Sequence, residues 1–342
     1  MKNYILKNEN AVFYECGFSC DNVIFLKLGC ESFFITDARY IVDAKENITS
    51  NTTIIESQDL IKNCRTILKK NKVKKIVIDP YDFSHAHFLQ LSNKLGINFI
   101  FKENFSKNKR MIKNDDEIKL LKKASQLGRD AFDNFAKFLR KNDSFMSEQE
   151  MYFKAYEHLT YMGQYNTSFS PIVAINESAA KPHAKPGSKK LQNKDLLLVD
   201  AGLKYKRYCS DRTATACYKD GKINFKRDQK FKSKKHQKIY DLVYKAQLNA
   251  ISKARSGMKA SDIDKLARGV IEKAGYGQYF RHGTGHGIGL DIHEYPSISS
   301  KSDVIIEDNM VFTIEPGIYL PNEFGVRIED CVLMKNGKAV II

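Results

Sequence analysis

Residues 282–293 read His-Gly-Thr-Gly-His-Gly-Ile-Gly-Leu-Asp-Ile-His, so three of the chain's eight histidines fall within twelve residues and glycines separate them. Histidines spaced this way suit a backbone that passes close to a bound group while imidazoles converge on it. Four carboxylates keep them company. Asp200 and Asp211 lie upstream in strand-like runs, and Glu315 and Glu329 lie downstream in two more. Carboxylates gathered without a cation repel one another and raise each other's pKa, so the set makes physical sense chiefly around metal. An oxygen-rich site with one imidazole suits Mn²⁺, Co²⁺, Fe²⁺ or Zn²⁺. Two such ions ~3.5–4 Å apart would share a water whose pKa falls toward neutrality, ready to attack a carbonyl. A two-metal hydrolytic site is the chemistry this pattern implies.

The bulk of the chain sets limits on the setting. At 342 residues and 42% hydrophobic content it buries a large core and is expected to form two domains. No run approaches the ~18–20 apolar residues of a membrane span, and the first residues lack the apolar stretch of a secretory signal. Seven scattered cysteines, an odd number, favour free thiols in a reducing cytoplasm over a disulfide framework. Cys16 and Cys20 could pair on a metal, but no second pair completes a zinc site, so they read as idle thiols. The net charge of +16 invites a nucleic-acid partner, yet lysine supplies 44 of the 56 basic residues and is spread along the whole chain. That pattern argues against nucleic acid. The one dense patch, residues 219–235, carries eight basic residues against two aspartates; it reads as a solvated, flexible strap, with an acidic partner as the alternative.

Periodicity divides the chain. Strand-like runs at 22–28, 32–36 and 75–79 alternate with helical spacing at 59–70 and 84–95, which predicts an α/β N-terminal domain. A charged stretch around Lys107 to Arg110 marks a boundary, giving domains of residues 1–112 and 113–342. An amphipathic helix is predicted from 114 to about 139, and Ser147 with Glu150 forms a capping box for another. Strands are predicted at 196–200 and 209–218. A turn at 202–206 would make them a hairpin with Asp200 and Asp211 side by side. Helices come next at 234–256 and 261–274, with Gly257 and Gly275 as stop signals, then strands at 310–320 and 325–334. The second domain is therefore α+β.

The strings Val199-Asp200-Ala201-Gly202, Ser210-Asp211-Arg212-Thr213, the histidine cluster, Thr313-Ile314-Glu315-Pro316-Gly317 and Val326-Arg327-Ile328-Glu329-Asp330 are, in order and spacing, similar to the M24 metallopeptidases. These are the pita-bread enzymes, which include methionine aminopeptidase, aminopeptidase P and prolidase. The first third, with Phe34-Ile35-Thr36-Asp37-Ala38-Arg39-Tyr40, resembles the creatinase-like N-terminal domain of the proline-directed branch. The resemblance implies two divalent ions per chain, Mn²⁺ foremost, held by Asp200, Asp211, His286, Glu315 and Glu329. Asp211 and Glu329 would bridge them, and Glu315 would also shuttle a proton. It further implies that His183 binds substrate, that His293 steadies the tetrahedral intermediate, and that His282 lines the proline pocket. Tyr319 and Arg327 would brace ligands and substrate.

The same resemblance implies a cytoplasmic metallo-exopeptidase cleaving before proline in proline-containing peptides, as an aminopeptidase or a dipeptidase, and as a homodimer. A methionine aminopeptidase is the nearest rival, opposed by the additional N-terminal domain and by Arg327 two residues before Glu329. A metal-free creatinase-type enzyme or a non-catalytic binding protein on the same scaffold would be expected to lose ligands, and none of the five is missing. Residues 219–235 exceed the shorter connection usual in the family. His85, His87, His158 and His236 fall outside every motif and read as structural or exposed.

Overall fold

Strands of the first unit are runs of β-branched and aromatic residues whose alternate side chains enter two different cores. The computed structural model describes residues 2–141 and 145–342. Its elements begin with β1 (Asn3–Leu6), α1 (Glu9–Cys16), β2 (Val23–Leu28), β3 (Glu31–Thr36), α2 (Ile41–Asn47) and β4 (Thr53–Glu56). Next come α3 (Leu60–Lys70), β5 (Lys75–Ile78), α4 (His85–Ser92), β6 (Asn98–Phe101) and α5 (Phe105–Lys109). The strands form one mixed sheet in the order β4-β3-β2-β1-β5-β6. Tyr4, Leu6 and Phe25 pack with Val12 and Ala44 of α1 and α2, whereas Ile5, Ile24 and Leu26 pack with Cys64 and Leu68 of α3 and Leu91 of α4. A sheet covered on both faces explains why these strands read as nearly continuous apolar runs.

The second unit begins at Arg110, not at 113. The shift has a physical cause: Arg110 and Lys113 are both buried and paired with Glu294, far along the chain. After this anchor come α6 (Asp115–Lys141), α7 (Glu148–Leu159), β7 (Asn166–Thr167), β8 (Ile172–Ile175), β9 (Leu196–Ala201), β10 (Leu203–Tyr205), β11 (Tyr208–Cys209) and β12 (Arg212–Cys217). The capping box at the start of α7 forms as predicted, with Ser147 and Glu150 bonding each other's backbone N–H. Two further helices, α8 (Lys234–Lys253) and α9 (Ala260–Lys273), end before Gly257 and Gly275, both left-handed at φ 91° and 84°. The chain closes with β13 (Gly285–Gly287), β14 (Glu294–Ile298), β15 (Val311–Ile314), β16 (Gly317–Leu320), β17 (Phe324–Arg327), β18 (Asp330–Lys335) and β19 (Lys338–Ile341). Helices α6 and α7 pack on the β12-β9-β8 sheet, and α8 and α9 on the β14-β13-β15-β18-β19 sheet. Among the described residues no helix is long and apolar enough to cross a membrane.

Three sequence expectations need correction. The strands predicted at 209–218, 310–320 and 325–334 are each interrupted, at Ser210 and Asp211, at Glu315 and Pro316, and at Ile328 and Glu329. At each interruption the chain leaves one sheet for another, so three of the carboxylates sit between strands rather than within them. The hairpin turn is not at 202–206. Leu203–Tyr205 is itself a strand, and the turn is Lys206 with Arg207, both at positive φ (46° and 73°) as a two-residue primed turn requires. Asp200 consequently faces Thr213 across the ladder, and Asp211 lies just beyond the last rung at Arg212 and Ala201. Gly202 permits this crossing, because a Cβ there would meet the Ser210 carbonyl oxygen at 1.8 Å.

The third correction concerns residues 219–235, expected to be a solvated strap. Ile223, Phe225, Gln229 and Phe231 are buried, and Phe225 packs against Phe132 and Phe135 of α6. Ile223, Phe225 and Phe231 hold the segment down with buried Gln229 while its lysines face water, and lysine content alone concealed this alternation of buried and exposed residues.

The anchor at Arg110 is an ion cluster nearly free of solvent. Lys113 Nζ donates to Glu294 Oε2 at 2.6 Å and to the Arg110 carbonyl at 2.6 Å; Arg110 bonds Glu294 Oε1 at 3.0 Å and Asp291 at 2.6 Å. Removing one partner of such a buried group leaves charge without compensation. Lys113→Met is therefore expected to lower the unfolding free energy by about 3 kcal/mol in chemical denaturation. Lys119→Met, at an exposed pair with Asp116, should leave the midpoint unchanged. Equal midpoints for the two variants would contradict this account.

Candidate metal centre

The interrupted strands converge on one cavity of about 800 Å³. Asp200, Asp211, His286, Glu315 and Glu329 all line it, together with His183, His282, His293 and Arg327. Asp200 comes from β9, Asp211 from the turn before β12, Glu315 from the turn after β15, and Glu329 from the turn before β18. His286 is the middle residue of β13. The glycines beside it serve the sheet: a Cβ at Gly285 would stand 1.9 Å from the Thr313 carbonyl oxygen, and one at Gly287 2.1 Å from that of Tyr295. Close strand packing thus requires these glycines, and Gly283 and Gly285 also line the cavity.

Donor atoms of Asp211, His286 and Glu329 lie within 4.8 Å of one another. His286 Nε2 stands 3.3 Å from Glu315 Oε1 and 3.6 Å from Asp211 Oδ2. Its other nitrogen, Nδ1, is 3.0 Å from the Gly287 carbonyl, which can only accept, so Nδ1 carries the proton and Nε2 presents a lone pair to the carboxylates. Burial, reinforced by His293, holds the imidazole at a pKa of about 4. A neutral nitrogen aimed at carboxylates is a poor hydrogen-bond arrangement and a good ligand set. Among the described residues, Asp200 Oδ1, Asp211 Oδ1 and Glu329 Oε1 are buried without a hydrogen-bond partner. Buried oxygens are ordinarily satisfied, so three orphans on one cavity point to a cation they would share.

Electrostatics agree. Burial first, then Glu329, Asp200 and Glu315, push the Asp211 pKa well up; burial with Glu315 and Asp200 does the same to Glu329. Glu315 rises to about 7, mainly through burial, while Arg327 pulls the other way. These carboxylates resist ionising together until a cation joins them.

Arg327 organises the back of the site. Its Nη2 donates to Asp200 Oδ2 at 2.5 Å, its Nε to Thr213 Oγ1 at 3.0 Å, and its Nη1 to the Tyr319 hydroxyl at 2.7 Å. Thr213 Oγ1 in turn donates to Glu329 Oε2 at 2.6 Å, so one guanidinium orients two carboxylates. Nη1 also reaches the carbonyl of Pro182, beside His183, at 3.3 Å. Burial would lower the Arg327 pKa, but the facing Tyr319, Asp200 and Glu315 raise it, and the charge persists. The Tyr319 hydroxyl lies 2.9 Å from His282 Nε2, whose Nδ1 is 2.8 Å from the Gly283 carbonyl. Every donor in that chain meets an acceptor if His282 is neutral, and burial together with Arg327 lowers its pKa to about 4. Tyr319 is buried, and its hydroxyl joins His282 to Arg327. His293 is exposed on the cavity wall, its ring edge-on to His286 with centroids 4.3 Å apart, and His183 is exposed on the Pro182 loop. His158 and His236 pack against phenylalanines away from the site.

Sequence reading missed the supports. Asp264 and Arg268, one turn apart on α9, form a fork that holds the Thr284 N–H and the carbonyls of Phe280 and His282. Arg110, Lys113 and Glu294 hold the turn that carries His293. Only the i,i+4 spacing of Asp264 and Arg268 was visible as a signal, and it is common to any helix.

Two helix pairs flanking antiparallel sheets, with carboxylates and histidine gathered where the sheets exchange strands, define a pita-bread metallopeptidase preceded by an α/β domain. The sequence profile of metallopeptidase family M24 matches residues 119–336, and the chain belongs to that family. It is 37% identical over 280 residues to YkvY of Bacillus subtilis (strain 168), provisionally named a dipeptidase, a match spanning 81% of this chain and 73% of that one. Its fold superposes on the Xaa-Pro dipeptidase from Bacillus anthracis with a TM-score of 0.90 at 31% identity, covering 99% and 92% of the two chains. The X-Pro aminopeptidase from Thermotoga maritima MSB8 gives 0.87 at 30% identity, over 100% and 95%.

A test of the electrostatics uses metal-free protein. With its folded pKa near 7 and its unfolded value near 4.5, Glu315 keeps a proton that the unfolded chain releases, so stability falls as pH rises through that window. Relative to Glu315→Gln in the presence of chelator, the wild type is expected to lose melting temperature between pH 5 and pH 8. A gap that stays constant with pH would refute the assignment.

Proposed function

We propose that this metallopeptidase is a two-metal exopeptidase that hydrolyses the bond before proline. The observation that carries the reading is the meeting of four carboxylates and a neutral imidazole nitrogen, three of the carboxylate oxygens orphaned, at the wall of one cavity. In this reading Asp200, Asp211, His286, Glu315 and Glu329 would hold two divalent cations. The oxygen-rich donor set suits Mn²⁺, with Co²⁺, Fe²⁺ or Zn²⁺ as alternatives. When bound, such ions neutralise the carboxylates, lower the pKa of water and polarise a carbonyl.

The chain's own residues divide the remaining work. Glu315, on the cavity wall with its Oε1 3.3 Å from His286 Nε2, would take a proton from attacking water and return it to the leaving nitrogen. His293, exposed beside His286, donates to the oxygen on which charge develops. His183 on the Pro182 loop and His282 in the glycine-rich segment before β13 position the substrate, and Arg327 keeps the ligands in register. A peptide bond to proline is a tertiary amide without an N–H, so its recognition depends on a shaped wall rather than on a donor. The cavity offers apolar surface for this from Tyr152, Phe169, Ile172 and Ile292. The solved relatives whose names specify Xaa-Pro substrates support the same specificity.

Two outcomes test the proposal. His293→Ala should retain its metal while kcat falls on the order of 10²–10³-fold, the scale of one lost oxyanion donor. Loss of metal with normal catalysis after metal is restored would make His293 a ligand support instead. In competition assays with Mn²⁺, kcat/KM for Met-Pro should exceed that for Met-Ala by at least about tenfold, equivalent to ~1.4 kcal/mol of transition-state discrimination. Preferential release of methionine from Met-Ala-Ser would transfer the chain to a methionine aminopeptidase activity.

A further inference from the structure

The basic segment that sequence singled out reaches the metal centre from behind. From 222 to 232 its residues alternate: Ile223, Phe225, Gln229 and Phe231 are buried and Arg227 is partly so, while Lys222, Lys226, Lys230 and Lys232 are exposed. An extended chain with this period presents one face to the protein. Several bonds fix its position. Gln229 Oε1 accepts from the Cys217 N–H at the end of β12 at 3.0 Å, and the Tyr240 hydroxyl donates to the Arg227 carbonyl at 3.2 Å.

Arg227 is the one basic side chain of the segment that turns inward, and its contacts are with the ligand-bearing turns. Nη2 donates to the Glu329 carbonyl at 2.8 Å and to Asp330 Oδ2 at 2.5 Å; Nη1 points to the Thr213 carbonyl at 3.5 Å. The Thr213 carbonyl also accepts the Glu329 N–H at 3.0 Å, so the guanidinium spans the crossing of β12 with the turn before β18. Arg212, the neighbour of Asp211, donates to the Phe225 carbonyl of the same segment at 3.1 Å. Gln247 of α8 completes the ring, bonding Asp330 at 3.0 Å and the carbonyl of Ile314, which precedes Glu315, at 3.2 Å.

We propose that Arg227, delivered by the segment 219–231, is a positioning residue that fixes the Glu329 turn and thereby sets how tightly the carboxylate cluster holds divalent cations. The inference rests on the metal-centre reading above. Glu329 stands in a break between strands, where its backbone holds to β12 by the N–H bond to the Thr213 carbonyl and not by a run of ladder rungs. Three carboxylate-bearing turns are instead tied together by Arg212, Arg227 and Gln247. A ligand carried on such a turn keeps its geometry only while its supports do, and loss of a comparable support costs about 10- to 100-fold in metal affinity. Lysine would keep a charge near Asp330 but not the fork that also reaches the carbonyls.

The experiment is calorimetric titration of Mn²⁺ into the metal-stripped full chain, with thermal melts of each metal-free variant. Arg227→Met is expected to weaken the dissociation constant about 10- to 100-fold per folded molecule, Arg227→Lys to fall between it and wild type, and the outward Lys226→Ser to match wild type. A wild-type constant for Arg227→Met, or a loss equal to its unfolded fraction, overturns the proposal. Should Arg227→Met not fold, Arg227→Lys decides: affinity within twofold of wild type overturns it, and a larger loss with an unchanged melt supports it. A wild-type chain that takes up no Mn²⁺ removes the metal-centre reading and this inference with it, an outcome distinct from failure of the brace alone.

Discussion

A single buried guanidinium ties the carboxylate cluster together. Four acids collected in one wall would drive one another toward protonation or drive the strands apart. Arg327 opposes both effects at once: it binds Asp200 directly, Glu329 through Thr213, and the His282 loop through Tyr319. Its planar fork matters as much as its charge, because three directions of hydrogen bonding are spent on three different segments. The Pro182 carbonyl is held by the same group, so the loop of His183 shares its reference point.

Around that hub the fold leaves its acids on turns. Strands β12, β15 and β18 are each flanked by an interruption, and Asp211, Glu315 and Glu329 occupy those interruptions. A carboxylate within a ladder alternates to one face of a sheet, whereas one at a sheet exchange can lie between two sheets. The architecture accordingly creates a place where side chains from both halves of the unit meet. Backbone at these breaks is held by bonds between segments, Glu315 N–H to the Thr284 carbonyl and Glu329 N–H to the Thr213 carbonyl, and side chains add further support. Arg212, Arg227 and Gln247 supply it on one side.

Further supports are ionic and buried. Arg110 and Lys113 enclose Glu294 next to His293, and Asp264 with Arg268 clamps the turn of His282. Charges so placed cost desolvation and add little net stability, but they are unforgiving of displacement. Fixed turns are the corresponding gain at His282 and His293. Seven cysteines remain free, and Cys331, buried beside Asp211, has its thiol pushed up by burial and the neighbouring carboxylates, which keeps it in the neutral form.

Much of this was legible along the chain. The capping box of Ser147 and Glu150, the stops at Gly257 and Gly275, and the amphipathic spacing from Ile118 to Leu139 are local signals with local causes, and each element formed. Asp200, Asp211, His286, Glu315 and Glu329 were likewise singled out by residue type and order, and the structure brings all five to one cavity. Tertiary structure decided the rest. It broke three expected strands at the ligands, since β propensity reports extended backbone and not which sheet receives it. It moved Asp211 off the ladder, since register depends on the Lys206 and Arg207 turn and on the room Gly202 leaves for Ser210. It turned Arg227 inward and bound Arg110 to Glu294, since the energy of a buried charge is set by partners distant in sequence, and no local pattern encodes them.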